Sequence, residues 1–341
     1  MIDFAAQSLT FVQGHMLLIL AGLAVVLVLG AAGWFMSHRG PSRTSMIADA
    51  SRKERERTYR QARRDLQAAR DALTKGSDGP KAILVDLICD LGSQWEDRDA
   101  PRYISYEQAT KSLQEIQPYL EIKKGGWLPW GAGRNLPELI VILHTLGGSS
   151  LSSQMIANAI AKYEGPKTAY VPYIAMSGGT KIALACDTIV MGASATLGPI
   201  DTQYSGVSKA SLDRLSKDPK AGPLPPGVLL TLYEAEKFDS YAVDQAKAVL
   251  HKNHGKSVEE NPAVKLSSGD WSHSRSIFPE VAKEQLGLNV EIGCRKKVMN
   301  YVNARIRMID TRIESEAHGA DKKDDTDPPS PSDLPKVTVT G

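Results

Sequence analysis

Two glycine turns carry the residues best suited to chemistry. Leu146-Gly147-Gly148 follows the apolar run Leu139-Ile-Val-Ile-Leu143 and leads into a helical stretch. About 30 residues on, Ser177-Gly178-Gly179 follows Thr168–Ile174 and leads into the short apolar segment Thr180–Ala185. Glycine lets a chain turn sharply and leaves its N–H groups bare. Such donors at the start of a helix can hold a developing oxyanion. A serine at the same kind of turn presents its hydroxyl for attack. A lone Ser-Gly-Gly is commonly just a tight turn. The two motifs together, in this order, point to acyl transfer, with Ser177 as nucleophile and Gly147, Gly148 and Gly178 as oxyanion donors.

These turns need strands and helices to position them. Ala82–Ile88 reads as a buried strand, Leu139–Leu143 and Thr168–Ile174 as two more, and Thr188–Met191 as a fourth. Leu151–Tyr163 and Thr180–Ala185 read as helices between them. Strands alternating with helices at this spacing predict parallel βαβ units. Pro225–His251, Phe278–Leu286 and the basic stretch Gly293–Ala317 read as later helices. Residues 91–136 are mixed, with a loop expected at Lys124–Asn135 and another at Lys75–Pro80.

Three runs in order are similar to the serine dehydrogenase proteinase family: Ile140–Gly148, Ala175–Val190 and Ala195–Gln203. Ser268-Gly-Asp-Trp-Ser-His273 and Glu280–Leu288 resemble that family's Trp-x-His stretch and closing helix. The family comprises membrane-anchored relatives of signal peptide peptidase A within the Clp-protease/crotonase superfold. The resemblance covers roughly 80–292 and implies a ββα spiral with a parallel sheet. It also implies a serine endopeptidase acting on polypeptides, and homo-oligomers. Leu146 replaces the family's Pro, Thr202 a Pro after Asp201, and Ser274 an acidic residue after His273. In signal peptide peptidase A relatives the base is a lysine some 40–50 residues after the serine. That window holds Lys217 and Lys220, the expected partners in a Ser-Lys dyad, ahead of Lys209 and Lys181. A lysine has to be buried to lose its proton at neutral pH. The rival is a histidine base. Thr202 stands where Clp protease places its histidine, but Asp201 and His273 can supply a His/Asp pair if the fold brings them together. Otherwise Asp201 anchors a turn or a subunit contact, and His144 reads as structural.

The chain of 341 residues has a net charge of only +2, which argues against a nucleic-acid coat protein. Met16–Met36 holds no charge and, as a helix, spans about 31 Å, enough for a hydrocarbon core. Arginines and lysines follow it and none precedes it. The positive-inside rule therefore predicts a single-pass inner-membrane protein with its later residues in the cytoplasm. Cys89, Cys186 and Cys294 fit reduced thiols. The expected organisation is a short segment (1–15), a transmembrane helix (16–36) and a charged helical stalk (37–79) touching lipid headgroups or water. A catalytic domain (80–292), a basic helix (293–317) and a disordered tail (318–341) follow. No spacing suits a metal, and no phosphate-binding glycine motif implies a nucleotide or other cofactor. Two alternatives stand: an oligomeric membrane scaffold with a vestigial site, and a crotonase-type acyl-CoA enzyme.

Overall fold

A computed structural model describes residues 43–76, 79–80, 82–91, 101–120, 136–204 and 207–320. The expected span 16–36, the segment before it, the loop 124–135 and residues 321–341 of the expected tail (318–341) lie outside the described residues, while 318–320 continue the last helix instead of starting a disordered tail. Among the described residues, no helix is long and apolar enough to cross a membrane. The chain divides into two compact units, Met1–Arg57 and Thr58–Gly341. Of the first, residues 43–57 are described. They are helical, with exposed i,i+4 pairs Lys53–Asp49 (2.7 Å) and Arg52–Glu56 (3.3 Å).

The second unit is built on a five-stranded sheet, parallel throughout. Its strands are β1 (Ala82–Ile88), β2 (Glu138–His144), β3 (Lys167–Val171), β5 (Thr188–Met191) and β9 (Val290–Ile292), in spatial order β9-β5-β3-β2-β1. β1 (AILVDLI) and β2 (ELIVILH) are almost unbroken runs of Ile, Leu, Val and Ala, as strands covered on both faces require. Thr168–Ile174 does not form one strand. Pro172 lacks an N–H, and the chain breaks into β3 and the two-residue β4 (Ile174–Ala175). β4 pairs in parallel with β6 (Thr196–Leu197) and bridges to Thr145. Gln203–Tyr204 (β7) and Val207–Ser208 (β8) form a small antiparallel pair.

Strand alternation divides the core. Ile83, Val85, Leu87, Val141 and Ala169 face one layer, with α2 (Tyr106–Leu120), α3 (Ser150–Lys162) and α4 (Gly178–Leu184). Leu84, Ile88, Ile140, Ile142 and Tyr170 face the other, against α1 (Arg43–Thr74) and the C-terminal helix α9 (Lys296–Ala320). α1 is the expected charged helix, but from Tyr59 onward it is no free stalk. Tyr59, Ala62, Leu66, Ala69 and Leu73 recur every three or four residues and pack into the core. α2 lies in the stretch the sequence leaves mixed. Its start carries a reciprocal cap: the Gln108 N–H donates to Ser105 Oγ (3.2 Å), and the Ser105 N–H to Gln108 Oε1 (3.3 Å). α5 (Lys209–Lys217), α6 (Pro226–Val249), α7 (Pro262–Ser267) and α8 (Pro279–Glu284) complete the unit.

Candidate active site

The site forms past the C-terminal ends of β2 and β4, where open parallel sheets commonly bind ligands. β2 runs on into Thr145, whose N–H donates to the Ile174 carbonyl (3.0 Å) and whose carbonyl accepts from Met176 N–H (3.0 Å). This stitch holds the two glycine turns side by side. Thr145 Oγ1 also accepts from the Gly147 N–H (3.1 Å) and from Cys89 Sγ (3.2 Å).

Ser177 lies at φ 48°, ψ −115°, the one positive-φ residue besides glycine among the described residues. A strained backbone of this kind costs on the order of 1–3 kcal/mol and persists only where the surroundings enforce it. It is the strand-to-helix elbow that lifts a nucleophile out of the chain. The Ser177 side chain caps nothing. Gly147 (φ 104°) has to be glycine: a Cβ there would lie 2.8 Å from Ser177 Cβ. At Gly178 a Cβ would lie 2.1 Å from Ser153 Oγ.

The oxyanion donors differ from expectation at one position. The Gly147 N–H is engaged by Thr145, and its carbonyl accepts from Ile104 N–H (2.7 Å). The Ser149 N–H donates to the Ile104 carbonyl (3.0 Å). In a bridge of this pattern the Gly148 N–H points away from Ile104. Gly148 and Gly178 donate to no other described residue, and a Cβ built on Gly178 would lie 3.7 Å from Gly148 N. The available pair is thus Gly148 and Gly178, with Gly147 setting the close approach to Ser177.

One cleft of about 370 Å³ is lined by Ser177, Gly148, Gly178, Lys181, Asp201 and His273. His273 Nδ1 lies 2.7 Å from Asp201 Oδ1. Asp201 is 4 % exposed, and its Oδ2 accepts from Gln203 Nε2 (2.6 Å). A carboxylate can only accept, so Nδ1 carries the proton and Nε2 is left as a base. The His/Asp pair left open in the sequence is therefore formed.

Lys217 and Lys220 are not brought there. They lie at the end of α5 and in the loop after it, both exposed. Neither is among the residues that line the cleft with Ser177. The buried lysine of the cleft is Lys181, one turn after Ser177 and 6 % exposed. Burial pushes its amine below the ordinary lysine range. It pairs with neither Asp187 nor Asp201: Asp187 meets His251 (3.0 Å) and Lys167 (3.7 Å). His144 is half-buried against Tyr173, and burial lowers its pKa. The three cysteines are free. Among the described residues no cluster of His, Cys, Asp or Glu is placed to hold a metal.

An elbow serine, paired amides and a carboxylate-held histidine thus gather in one cleft beside a parallel sheet. The chain belongs to the family of ClpP-like, SDH-type serine proteinases, whose model matches residues 133–314. It is similar to two uncharacterized proteins of Methanocaldococcus jannaschii. MJ1495 is 33 % identical over 159 residues, 46 % of this chain and 53 % of that protein. MJ0137 is 32 % identical over 158 residues, 46 % of this chain and 55 % of that one. The chain spans about half the length of the curated relatives it matches. Among solved structures, a mutant of the membrane-bound stomatin-specific protease 1510-N shares 17 % identity, with TM-score 0.33 over 58 % of this chain and 78 % of that one. An enoyl-CoA hydratase from Bacillus anthracis shares 15 %, with TM-score 0.36 over 72 % and 81 %.

Proposed function

We propose that this chain is a serine endopeptidase with a Ser177–His273–Asp201 relay. The single observation that carries this reading is the His273–Asp201 contact of 2.7 Å in the cleft lined by the strained Ser177. Ser177 Oγ attacks the peptide carbonyl as His273 Nε2 takes its proton. The Gly148 and Gly178 N–H groups receive the oxyanion. His273 then returns the proton to the leaving amine, and water repeats the sequence on the acyl-enzyme. Asp201 holds the ring in the tautomer this requires. An adjoining pocket of about 460 Å³, lined by Leu151, Phe238 and Tyr241, suits a bulky apolar side chain of a polypeptide substrate. The sequence supports anchoring through Met16–Met36 with the active site on the cytoplasmic side, where membrane-protein fragments are within reach. The exposed Leu230 and Tyr233 of α6 suit a homo-oligomer contact.

A second reading rests on Lys181, whose buried amine faces the same cleft and can serve as the base. Fluorophosphonate labelling of the full chain separates the readings. Ser177 is expected to react in the wild type and not in Ser177→Ala. His273→Ala slows labelling on the order of 10³-fold or more, while Lys217→Met and Lys220→Met leave it intact. Loss on Lys181→Met with His273→Ala still reactive selects Lys181. Loss on Lys217→Met restores the lysine dyad. A folded protein that never labels is the vestigial scaffold, and stabilisation by CoA esters would favour the acyl-CoA enzyme.

A further inference from the structure

The opposite face of the sheet holds a second hollow that peptide hydrolysis does not use. Its volume is about 800 Å³, within the range of small-ligand sites. Arg60, Arg63, Arg64 and Arg70 line it from α1, Lys111 from α2 and Arg305 from α9. The four α1 arginines fall on one helical stripe. The same helix sends its apolar residues into the core and turns its acids to other partners. Asp65 accepts from Gln61 (2.8 Å), and Asp71 from Gln67 (2.8 Å) and Lys75 (2.7 Å).

Asp86 on β1 is the carboxylate that lines the hollow, and Glu115 on α2, in the adjoining pocket, reaches its Arg70. Both are engaged. Asp86 accepts from Tyr301 Oη (2.7 Å) and lies 3.6 Å from Arg305 Nε. Glu115 pairs with Arg70 (2.9 Å). Burial, with Asp86 beside it, pushes the Tyr301 phenol up, so that group stays neutral and offsets no positive charge. Arg63 and Arg64 are exposed and make no ion pair with a described residue. Lys111 meets Glu107 (3.1 Å), so the excess positive charge of this concave surface rests on Arg63 and Arg64, and such an excess concentrates anions. Guanidinium forks match the paired oxygens of a phosphoryl group.

We propose that this hollow binds a phosphoryl-bearing anion, either a phospholipid headgroup or a free oligophosphate, independently of the peptidase reading. The test titrates the full chain in detergent micelles at low ionic strength. Calorimetry follows sodium tripolyphosphate in one arm and dihexanoyl phosphatidylglycerol in the other, with dihexanoyl phosphatidylcholine as the uncharged control. Saturable binding of one or both anions is expected, weakened about tenfold or more in Arg63→Gln/Arg64→Gln. Fluorophosphonate labelling and the melting temperature stay as in the wild type, because both side chains are exposed. Binding of tripolyphosphate alone identifies a free phosphate ligand, and binding of the lipid alone identifies a headgroup. No saturable binding in either arm, equal affinity in the double variant, or equal binding of phosphatidylcholine overturns the proposal.

Discussion

The two faces of the central sheet share the same strands but are built by different means. On the face covered by α2, α3 and α4, the site is made largely by backbone: a strained serine, two glycine turns, the Gly148 N–H left over from a bridge to Ile104 and the free Gly178 N–H. On the face covered by α1 and α9, the hollow is made by side chains, a stripe of arginines over Asp86 and Tyr301. Backbone sites tolerate almost no added volume, since a methyl at Gly147 or Gly178 meets an atom within 2.8 Å. Side-chain sites lose function in steps, one charge at a time. The catalytic face should therefore respond to substitution abruptly and the basic face gradually.

The largest effect that sharpens this contrast is expected at Asp201→Asn. The packing survives, but the histidine loses its orienting carboxylate. The acylation rate should fall on the order of 10⁴-fold, read by stopped-time fluorophosphonate labelling, with anion binding unchanged. A parallel fall in tripolyphosphate affinity would show that the faces are coupled. Gly178→Ala should cost on the order of 10²–10³-fold in the same assay, because its Cβ displaces Ser153 and shifts a donor amide. On the other face, Tyr301→Phe removes the hydrogen bond to Asp86 and leaves a carboxylate oxygen short of a partner. The expected loss is about 1–3 kcal/mol in urea unfolding, with labelling of Ser177 untouched.

An effect of similar size is a dependence on pH. His254 is buried, accepts from Asn289 N–H (3.0 Å) through Nδ1, and lies 2.9 Å from the Cys186 carbonyl through Nε2. Burial pushes its pKa from 6.5 down to about 4. Between these values the unfolded chain binds the proton and the folded one does not. Stability from this group is thus fully present above pH 6.5 and declines as the pH falls toward 4, by up to roughly 3 kcal/mol. His254→Gln should flatten that slope in urea midpoints measured across the window. An unchanged slope would remove His254 as its source.

Most of the site's backbone half is legible in the sequence. Thr188–Met191 forms the expected strand, and Ser177 and the glycine pairs sit at strand ends as their neighbours dictate. α2 is less legible because Pro118 and several polar residues blur its period, although the Ser105/Gln108 cap is a readable start signal. The split of Thr168–Ile174 is signalled by Pro172 alone. Gly147 shows where reading by type fails. Its glycine character is plain, but whether its N–H is available depends on Thr145 Oγ1, which only the folded turn brings within 3.1 Å.

The His273–Asp201 pair shows the same limit at longer range. By itself the sequence determined the parallel α/β class, the elbow serine, the glycine turns and the excess of arginine after residue 50. These are local properties, set by side-chain period and by the few residues a tight turn accepts. The tertiary structure decided that His273 and Asp201 share the cleft with Ser177, which amides are free, and that arginines of α1 converge with Lys111 and Arg305. His273 comes to Asp201 because Ile277 pairs with Leu197 at the end of a long excursion (N–H to carbonyl, 2.9 Å each way). Such convergence is set by packing between segments far apart in the chain, and no local spacing records it.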